Sequence, residues 1–260
     1  MQNYPVMYNN SYTTPVTARN GFCSHFPSFF YYMAMCKTAY LANRKAKLGK
    51  SSDQAWVQGS LEIIQAFERV GVQFSFENLQ AFTQLDSPCV FIGNHMSTLE
   101  TFVLPAIIQP HKPVTFVIKE SLLSYPFFGH LMASRTPIAV SRKNPREDLK
   151  QVLTQGCENL KRGRSVIVFP QATRSQTLDL TKFNSIGVKL AKKAGVPIIP
   201  IALKTDCWGY GTYAKEFGPI YPEKKSYFAF GEPLLPVGNG KQAHADVCEF
   251  IGNKLSDWAD

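Results

Sequence analysis

The sequence predicts an α/β fold: a mixed, largely parallel sheet of about seven strands flanked by helices, with an N-terminal amphipathic helical element. Two observations carry this expectation. Short apolar runs of strand length alternate with longer segments of helical spacing, the order that a parallel sheet with crossover helices requires. The chain also has 260 residues, 45% of them apolar, which suits one α/β domain with a small N-terminal addition.

Taken in order, residues 1–20 are polar, contain two prolines and show no secretory signal, so they are expected to form a mobile arm. Residues 26–42, FPSFFYYMAMCKTAYLA, form the longest apolar-aromatic stretch. It includes Lys37 and falls short of the roughly 20 apolar residues that a membrane span needs. Arg44, Lys45, Lys47 and Lys50 follow, and an aromatic-rich helix with a basic tail suits a membrane interface. Residues 1–50 are therefore read as a mobile arm and membrane-interface helix, and 51–260 as the main domain.

Ser52 and Asp53 can cap a helix that runs to Arg69 and stops at Gly71. Residues 72–77 alternate like a strand. The runs at 89–92, 114–118, 137–140, 165–169, 197–203 and 226–230 read as further strands. Helical segments lie between them, near 98–109, 121–133, 146–162, 181–194 and 241–258. In one of these, Leu149, Val152, Leu153 and Leu160 share a face and Gly163 ends the helix; in another, the stretch from Lys193 to Pro197 is a helix stop followed by a strand.

The net charge of +9 is unevenly placed. Residues 110–195 hold fifteen lysines and arginines against five acids, and the rest of the chain is close to balanced. A basic region of this kind attracts phosphates on lipid headgroups, coenzymes or nucleic acid. No DNA-reading motif accompanies it, so no nucleic-acid partner is expected. The six cysteines form no C-x-x-C and read as reduced thiols of a cytosolic compartment. The five histidines lack ligand spacing, and no metal site is expected. A P-loop and a G-x-S-x-G elbow are both missing. Gly238-Asn239-Gly240-Lys241-Gln242-Ala243 fits G-x-G-x-x-A but has no βαβ half after it, and reads as a turn.

Chemistry concentrates in Asn94-His95-Met96-Ser97-Thr98-Leu99-Glu100, directly after the strand at 89–92. The C-terminal ends of strands in open α/β sheets are where sites are built. Five residues along one helix is a rotation of about 500°, leaving two side chains about 140° apart. His95 and Glu100 can therefore meet only if His95 lies in the turn before a helix and Glu100 in its first turn. A carboxylate on one ring nitrogen would fix the tautomer and leave the other nitrogen to take a proton from a hydroxyl. The competing role for Glu100 is a capping box, Ser97-x-x-Glu100.

This stretch resembles the H-x4-D motif of the glycerolipid acyltransferases, the family of 1-acylglycerol-3-phosphate O-acyltransferase. Three more stretches resemble that family's later blocks in order. They are Thr136-Pro137-Ile138-Ala139-Val140-Ser141-Arg142, then Phe169-Pro170-Gln171-Ala172-Thr173-Arg174-Ser175, then Val196-Pro197-Ile198-Ile199-Pro200-Ile201. Lys119-Glu120-Ser121-Leu122 and Pro126-Phe127-Phe128-Gly129 are similar to the stretch between the first two blocks, and residues 122–132 are a candidate lining for an acyl groove.

The resemblance, over about residues 70–235, implies acyl transfer from a thioester to a lysophospholipid hydroxyl without a covalent intermediate. It implies His95 as base, Glu100 as its partner, and Lys119, Arg142, Gln171, Thr173 and Arg174 as substrate-binding residues. It implies no cofactor beyond acyl-CoA or an acyl carrier protein thioester as co-substrate; the aromatic-basic segment at the N-terminal end leads us to expect a peripheral place on the cytosolic membrane face. The chain departs from the family pattern at Glu100 for aspartate, Gln171 for glutamate, and Ala172 and Thr136 for glycines. Gln171 and Ala172 open a second reading, another lysolipid or a glycolipid as acceptor. A third is a non-catalytic basic binding protein in which His95 and Glu100 are structural.

Overall fold

The computed structural model describes residues 10–125, 129–171, 173–212 and 214–259. Residues 1–9 of the expected arm, Pro126, Phe127 and Phe128, and Ala172 lie outside them. Among the described residues the sheet has eight strands: β1 (Tyr12–Thr13), β2 (Phe74–Glu77), β3 (Val90–Gly93), β4 (Val114–Lys119), β5 (Ile138–Val140), β6 (Ser165–Val168), β7 (Ile198–Lys204) and β8 (Ser226–Phe230). Their spatial order is β1-β2-β8-β7-β3-β6-β4-β5.

The topology follows from what lies between the strands. Helices α5 (Leu99–Ile108), α6 (Gly129–Ala133), α7 (Pro145–Lys161) and α8 (Ile186–Ala194) separate β3 from β4, β4 from β5, β5 from β6 and β6 from β7. A crossover helix returns the chain to the same end of the sheet, and β7, β3, β6, β4 and β5 are all parallel. Among the described residues no helix intervenes between β7 and β8, and that pair is antiparallel.

Both faces of the sheet are covered, so the central strands are buried throughout, as continuous apolar runs demand. Alternate residues divide between two cores. Phe91, Ile167, Ile199 and Ile201 face the side of α2 (Pro27–Lys47), α3 (Asp53–Val70) and α5. Val90, Ile92, Val166, Val168 and Ile198 face the side of α7, α8 and α9 (Lys241–Asp257).

Helix ends match their chemistry. The Ser52 side chain accepts from Ala55 N, and Gly71 closes α3 in the left-handed region at φ 108°. Asn144 caps α7, and Gly163 follows it at φ 78°. Gly238 and Gly240 both have positive φ, which makes that glycine-rich stretch a turn before α9. Two expected helices are broken up. A 3₁₀ turn, Glu120–Ser124, and the short α6 stand in the 121–133 region, and a 3₁₀ turn, Leu180–Lys182, stands apart from α8 in the 181–194 region. The short helices α1 (Gly21–His25) and α4 (Gln80–Thr83) had no sequence signal.

The N-terminal end differs most from expectation. Residues 12–14 are tied to the sheet: Tyr12 and Thr13 pair with Phe76 and Ser75 as edge strand β1, and Thr14 N donates to Phe74 O at 3.1 Å. The buried Glu68 of α3 holds them, accepting from Tyr12 Oη at 2.5 Å and Thr14 Oγ1 at 2.8 Å. The segment expected as an amphipathic helix is α2, which is apolar on two sides. Tyr31, Met35 and Ala39 are buried against the domain. Phe26, just before the helix, and Phe29, Met33 and Tyr40 on it are between 56% and 65% exposed, and their spacing places them on one outer face.

Removing the Glu68 carboxylate leaves two hydroxyls without their acceptor. Glu68→Ala is expected to destabilise the protein by about 1–3 kcal/mol in urea titrations and to open residues 10–20 to limited proteolysis. A variant as stable and protease-resistant as the parent would show that β1 is held by its strand pairing alone.

Candidate active site

The parallel topology brings the C-terminal ends of β3 to β7 to one edge, and the chain after β3 turns there into α5. Gly93 ends β3 where a Cβ would stand 3.0 Å from the Ile201 carbonyl oxygen. The next residue extends the ladder with its side chain. Asn94 Nδ2 donates to Leu203 O at 2.7 Å, and Asn94 Oδ1 accepts from Leu203 N at 2.9 Å. The loop that follows is thus fixed to β7 before it reaches His95.

His95 lies in the turn before α5 and Glu100 in the first turn of α5. The Glu100 carboxylate has no solvent exposure and faces His95 Nδ1 at 3.8 Å, an ion-pair separation slightly beyond hydrogen-bond length. It also accepts from Met96 N at 2.6 Å and from Ser97 N at 2.9 Å. Ser97 Oγ lies 3.2 Å from Glu100 Oε2 and accepts from Leu99 N at 3.1 Å. One carboxylate therefore both accepts from the backbone ahead of α5 and faces the imidazole. Burial alone would push the Glu100 pKa up. The His95 ring beside it and the backbone amides aimed at it outweigh burial and hold the pKa below the ordinary glutamate range.

The segment after β6 clamps His95 from the other side. The Phe169 ring stacks on the imidazole, with centroids 4.5 Å apart and planes within 8°. His95 N donates to Gln171 Oε1 at 2.7 Å, and His95 O accepts from Ser175 N at 2.9 Å. Gln171 is buried and its side-chain carbonyl oxygen is engaged on the His95 backbone amide. Thr173 is exposed beside it. Arg174 reaches across to the α5 side, where Nη1 contacts Thr98 Oγ1 and Nη2 pairs with Glu216 Oε1 at 2.6 Å.

The remaining candidate cations sit along the same edge. Lys119 is exposed at the end of β4. Arg142, just past β5, has the left-handed φ of 59°, costly for a residue with a side chain. Asp148 holds that turn, accepting from Ser141 N at 2.9 Å and Arg142 N at 2.8 Å. Desolvation of its guanidinium lowers the Arg142 pKa, Asp148 raises it, and the Arg174 charge lowers it further, so the two guanidinium groups are close enough to repel. Thr136 also has a left-handed φ, 47°, at the position where the resembled block carries glycine. Thr115 Oγ1 contacts the carbonyl oxygens of Arg135 and Thr136 at 3.0 and 3.2 Å and braces that strained turn.

Sequence reasoning missed Asn94 as a brace, Phe169 as the stacking partner, and a wall supplied by the connection between β7 and β8. Tyr210 Oη donates to Met96 O at 2.8 Å, and Thr205 Oγ1 lies 3.0 Å from Ser97 Oγ. Asn94 and Phe169 could have been marked, since each sits inside a quoted motif. Thr205, Tyr210 and Glu216 lie in a stretch without periodicity or motif.

A model of the family described as Acyltransferase matches residues 71–204, which include His95, Glu100, Lys119, Arg142 and Arg174. A 1-acyl-sn-glycerol-3-phosphate acyltransferase of Pseudomonas aeruginosa is 35% identical over 178 residues, 68% of this chain and 65% of that protein. A 1-acyl-sn-glycerol-3-phosphate acyltransferase of Saccharomyces cerevisiae is 37% identical over 119 residues, 45% of this chain and 38% of that protein. The matched region thus spans less than two thirds of either relative. The crystal structure of a 1-acyl-sn-glycerophosphate (LPA) acyltransferase from Thermotoga maritima matches with a TM-score of 0.67 over 91% of this chain and 96% of that one. Its sequence identity is 18%, so this likeness establishes the fold.

The double role of Glu100 sets the outcome of Glu100→Gln. An amide in place of one oxygen presents N–H to donors, so melting temperature and turnover should fall together, the former by the equivalent of about 1–3 kcal/mol. A depressed folded pKa contributes stability that is present above the unfolded pKa and is lost as pH falls through the folded one. Thermal melts from neutral to acid pH should therefore show a flatter acid limb in the variant. An unchanged melting temperature with lost turnover would confine the carboxylate to His95.

Proposed function

The chain belongs to the Acyltransferase family, and on that premise we propose that it transfers an acyl chain from a thioester to the free hydroxyl of a lysophospholipid, foremost lysophosphatidic acid to give phosphatidic acid. The observation that carries this reading is the His95 ring held between Glu100 and Phe169, with Arg174 on the same edge. Nδ1 is buried against the carboxylate, which leaves Nε2 as the nitrogen able to receive a proton. Nε2 takes the proton of the acceptor hydroxyl as its oxygen attacks the thioester carbonyl. The tetrahedral intermediate collapses by breaking the C–S bond, and the imidazolium returns the proton to the leaving thiolate. Glu100 favours the imidazolium that forms in between, and a closure of about 1 Å from its present 3.8 Å separation makes the hydrogen bond.

Arg174, with Arg142 and Lys119 on the same edge, suits the phosphate of the acceptor. A phosphate monoester carries a charge of about −1.5 to −2 at neutral pH, and forked guanidinium contacts match its oxygens. Gln171 is read here as a residue that positions His95, because its oxygen is already engaged on the His95 amide. The thioester is carried by coenzyme A or an acyl carrier protein.

Both substrates are amphiphiles or carry acyl chains, so the site must meet a membrane surface. No described helix is long and apolar enough to cross one. The outer face of α2 offers Phe26, Phe29, Met33 and Tyr40, and Arg44, Lys45 and Lys47 occupy its last turn. This composition favours peripheral seating on an anionic leaflet, as on the cytosolic side of a membrane, each basic residue contributing about 1 kcal/mol near the surface.

The test of the reaction is incubation with a labelled acyl thioester and a panel of lysolipids. Lysophosphatidic acid should be the preferred acceptor, and His95→Ala should lower turnover by roughly 10²–10⁴. Turnover of the variant within a few-fold of the parent would remove His95 from the mechanism. The membrane seat calls for outer-face substitutions, since Tyr31 and Met35 belong to the core and deleting the helix would open it. The triple variant Phe26→Ser, Phe29→Ser, Met33→Ser should keep its melting temperature and lose the salt-resistant part of its binding to phosphatidylglycerol vesicles. Binding equal to the parent would place the membrane contact elsewhere.

A further inference from the structure

The partner of Arg174 is a carboxylate that no reading of the motifs accounts for. Glu216 Oε1 sits 2.6 Å from Arg174 Nη2, the place a phosphate oxygen would take if Arg174 binds the acceptor. The two partners differ in accessibility: the Arg174 side chain is 16% exposed and that of Glu216 is 35%. The arginine is the one that needs a counter-charge at all times, and the glutamate is the one that water can receive.

Glu216 is also held in place by its loop. The connection between β7 and β8 folds back on itself so closely that a Cβ at Gly218 would stand 2.0 Å from the Gly209 carbonyl oxygen. Gly209 N donates to Pro219 O at 2.9 Å and Phe217 N to Ala214 O at 2.9 Å, on either side of Glu216. Tyr32 of α2 donates to Gly218 O at 2.6 Å. A loop closed this tightly sets the Glu216 backbone opposite the guanidinium, while the part-exposed side chain keeps room to turn toward solvent.

We propose that Glu216 is an intramolecular competitor for the acceptor's phosphate: it occupies Arg174 until a phosphate displaces it into solvent. The proposal rests on the reading of Arg174 as a phosphate-binding residue. Displacement exchanges one carboxylate for an anion of up to twice its charge with three acceptor oxygens, so the exchange favours a phosphate monoester. The fraction of molecules with Arg174 released scales the apparent affinity for every anion at that position, which keeps weakly held anions out at ordinary concentrations.

Inorganic phosphate is the probe, titrated calorimetrically into the parent protein, Glu216→Gln, Arg174→Ala and the double variant. Glu216→Gln should bind phosphate roughly 3- to 10-fold more tightly than the parent, the span expected for losing a partly exposed ion pair. Arg174→Ala should bind weakly, and adding Glu216→Gln to it should recover nothing. Glu216→Asp keeps the charge with a shorter reach and should fall between parent and Glu216→Gln, which covers the case of a poorly folded glutamine variant. Binding in Glu216→Gln that is unchanged or weaker, alongside loss in Arg174→Ala, overturns the competitor and makes Glu216 a support for Arg174. Arg174→Ala binding as tightly as the parent overturns the phosphate role of Arg174 itself.

Discussion

A carboxylate with no access to water must be given donors, and at Glu100 that requirement shapes everything around it. An unpaired buried charge costs several kcal/mol, whereas each hydrogen bond to a charged group contributes about 1.5–3 kcal/mol. The donors nearest to hand are the backbone amides of Met96 and Ser97, and aiming both at one side chain curls the chain between β3 and α5. That curl brings His95 Nδ1 to the same carboxylate. The cap of α5 and the orientation of the imidazole are thus one electrostatic solution, and neither can be altered without the other. The rest of the loop is held from outside: Asn94 by Leu203, His95 by Gln171 and Ser175, Met96 by Tyr210. With its backbone bonded on both sides and its ring stacked on Phe169, His95 is left with little rotational freedom, which is the preorganisation that the proposed general base would need.

The parallel topology explains why distant residues can serve one site. Each crossover helix returns the chain to the same end of the sheet, so β3, β4, β5, β6 and β7 deliver their C-terminal ends to a common edge. His95, Lys119, Arg142 and the segment at 171–174 follow those ends in turn. At Thr136 and Arg142 the backbone adopts left-handed turns that glycine would take without penalty, and neighbouring side chains hold both. Strain is thus retained on both sides of one short strand, with Arg142 at the C-terminal end of β5.

The seven expected strands were legible because parallel strands buried on both faces are runs of apolar residues with few alternatives. The eighth was not: β1 is two residues long, polar on one side, and depends on Glu68, which in sequence reads as an ordinary acidic residue of a surface helix. Helices with a good cap and a glycine stop, α3 and α7, were legible near both ends. The 121–133 and 181–194 regions were over-read: each holds a 3₁₀ turn with no buried residue, set apart from a shorter helix. At the site, His95 and Glu100 could be brought together by a turn-then-helix geometry, and the family resemblance singled that pair out. The wall supplied by Thr205, Tyr210 and Glu216 could not, since it meets His95 and Arg174 only through the adjacency of β3 and β7, a pairing of segments about a hundred residues apart. Gln171 was assigned to substrate from its motif. Only the fold shows its oxygen turned back onto the histidine amide.

The same connection joins the site to the outer helix. Ser28 Oγ of α2 accepts from Ile220 N at 2.9 Å, and Trp208 Nε1 donates to Tyr32 Oη at 3.0 Å. Tyr32 in turn reaches Gly218, while Tyr31 packs between Phe67 and Trp208 in the core. A helix seated on a bilayer by Phe26, Phe29 and Met33 would therefore be no flexible tether. Its inner face is bonded to the loop that bears Tyr210 and Glu216, and those two residues touch the His95 loop and Arg174. The height of the site above a membrane would then be set by side-chain packing at fixed distances, not by the length of a linker. An acceptor drawn from the surface would meet the arginine and the histidine at a constant depth, which is what positioning a hydroxyl against a base within hydrogen-bond reach demands.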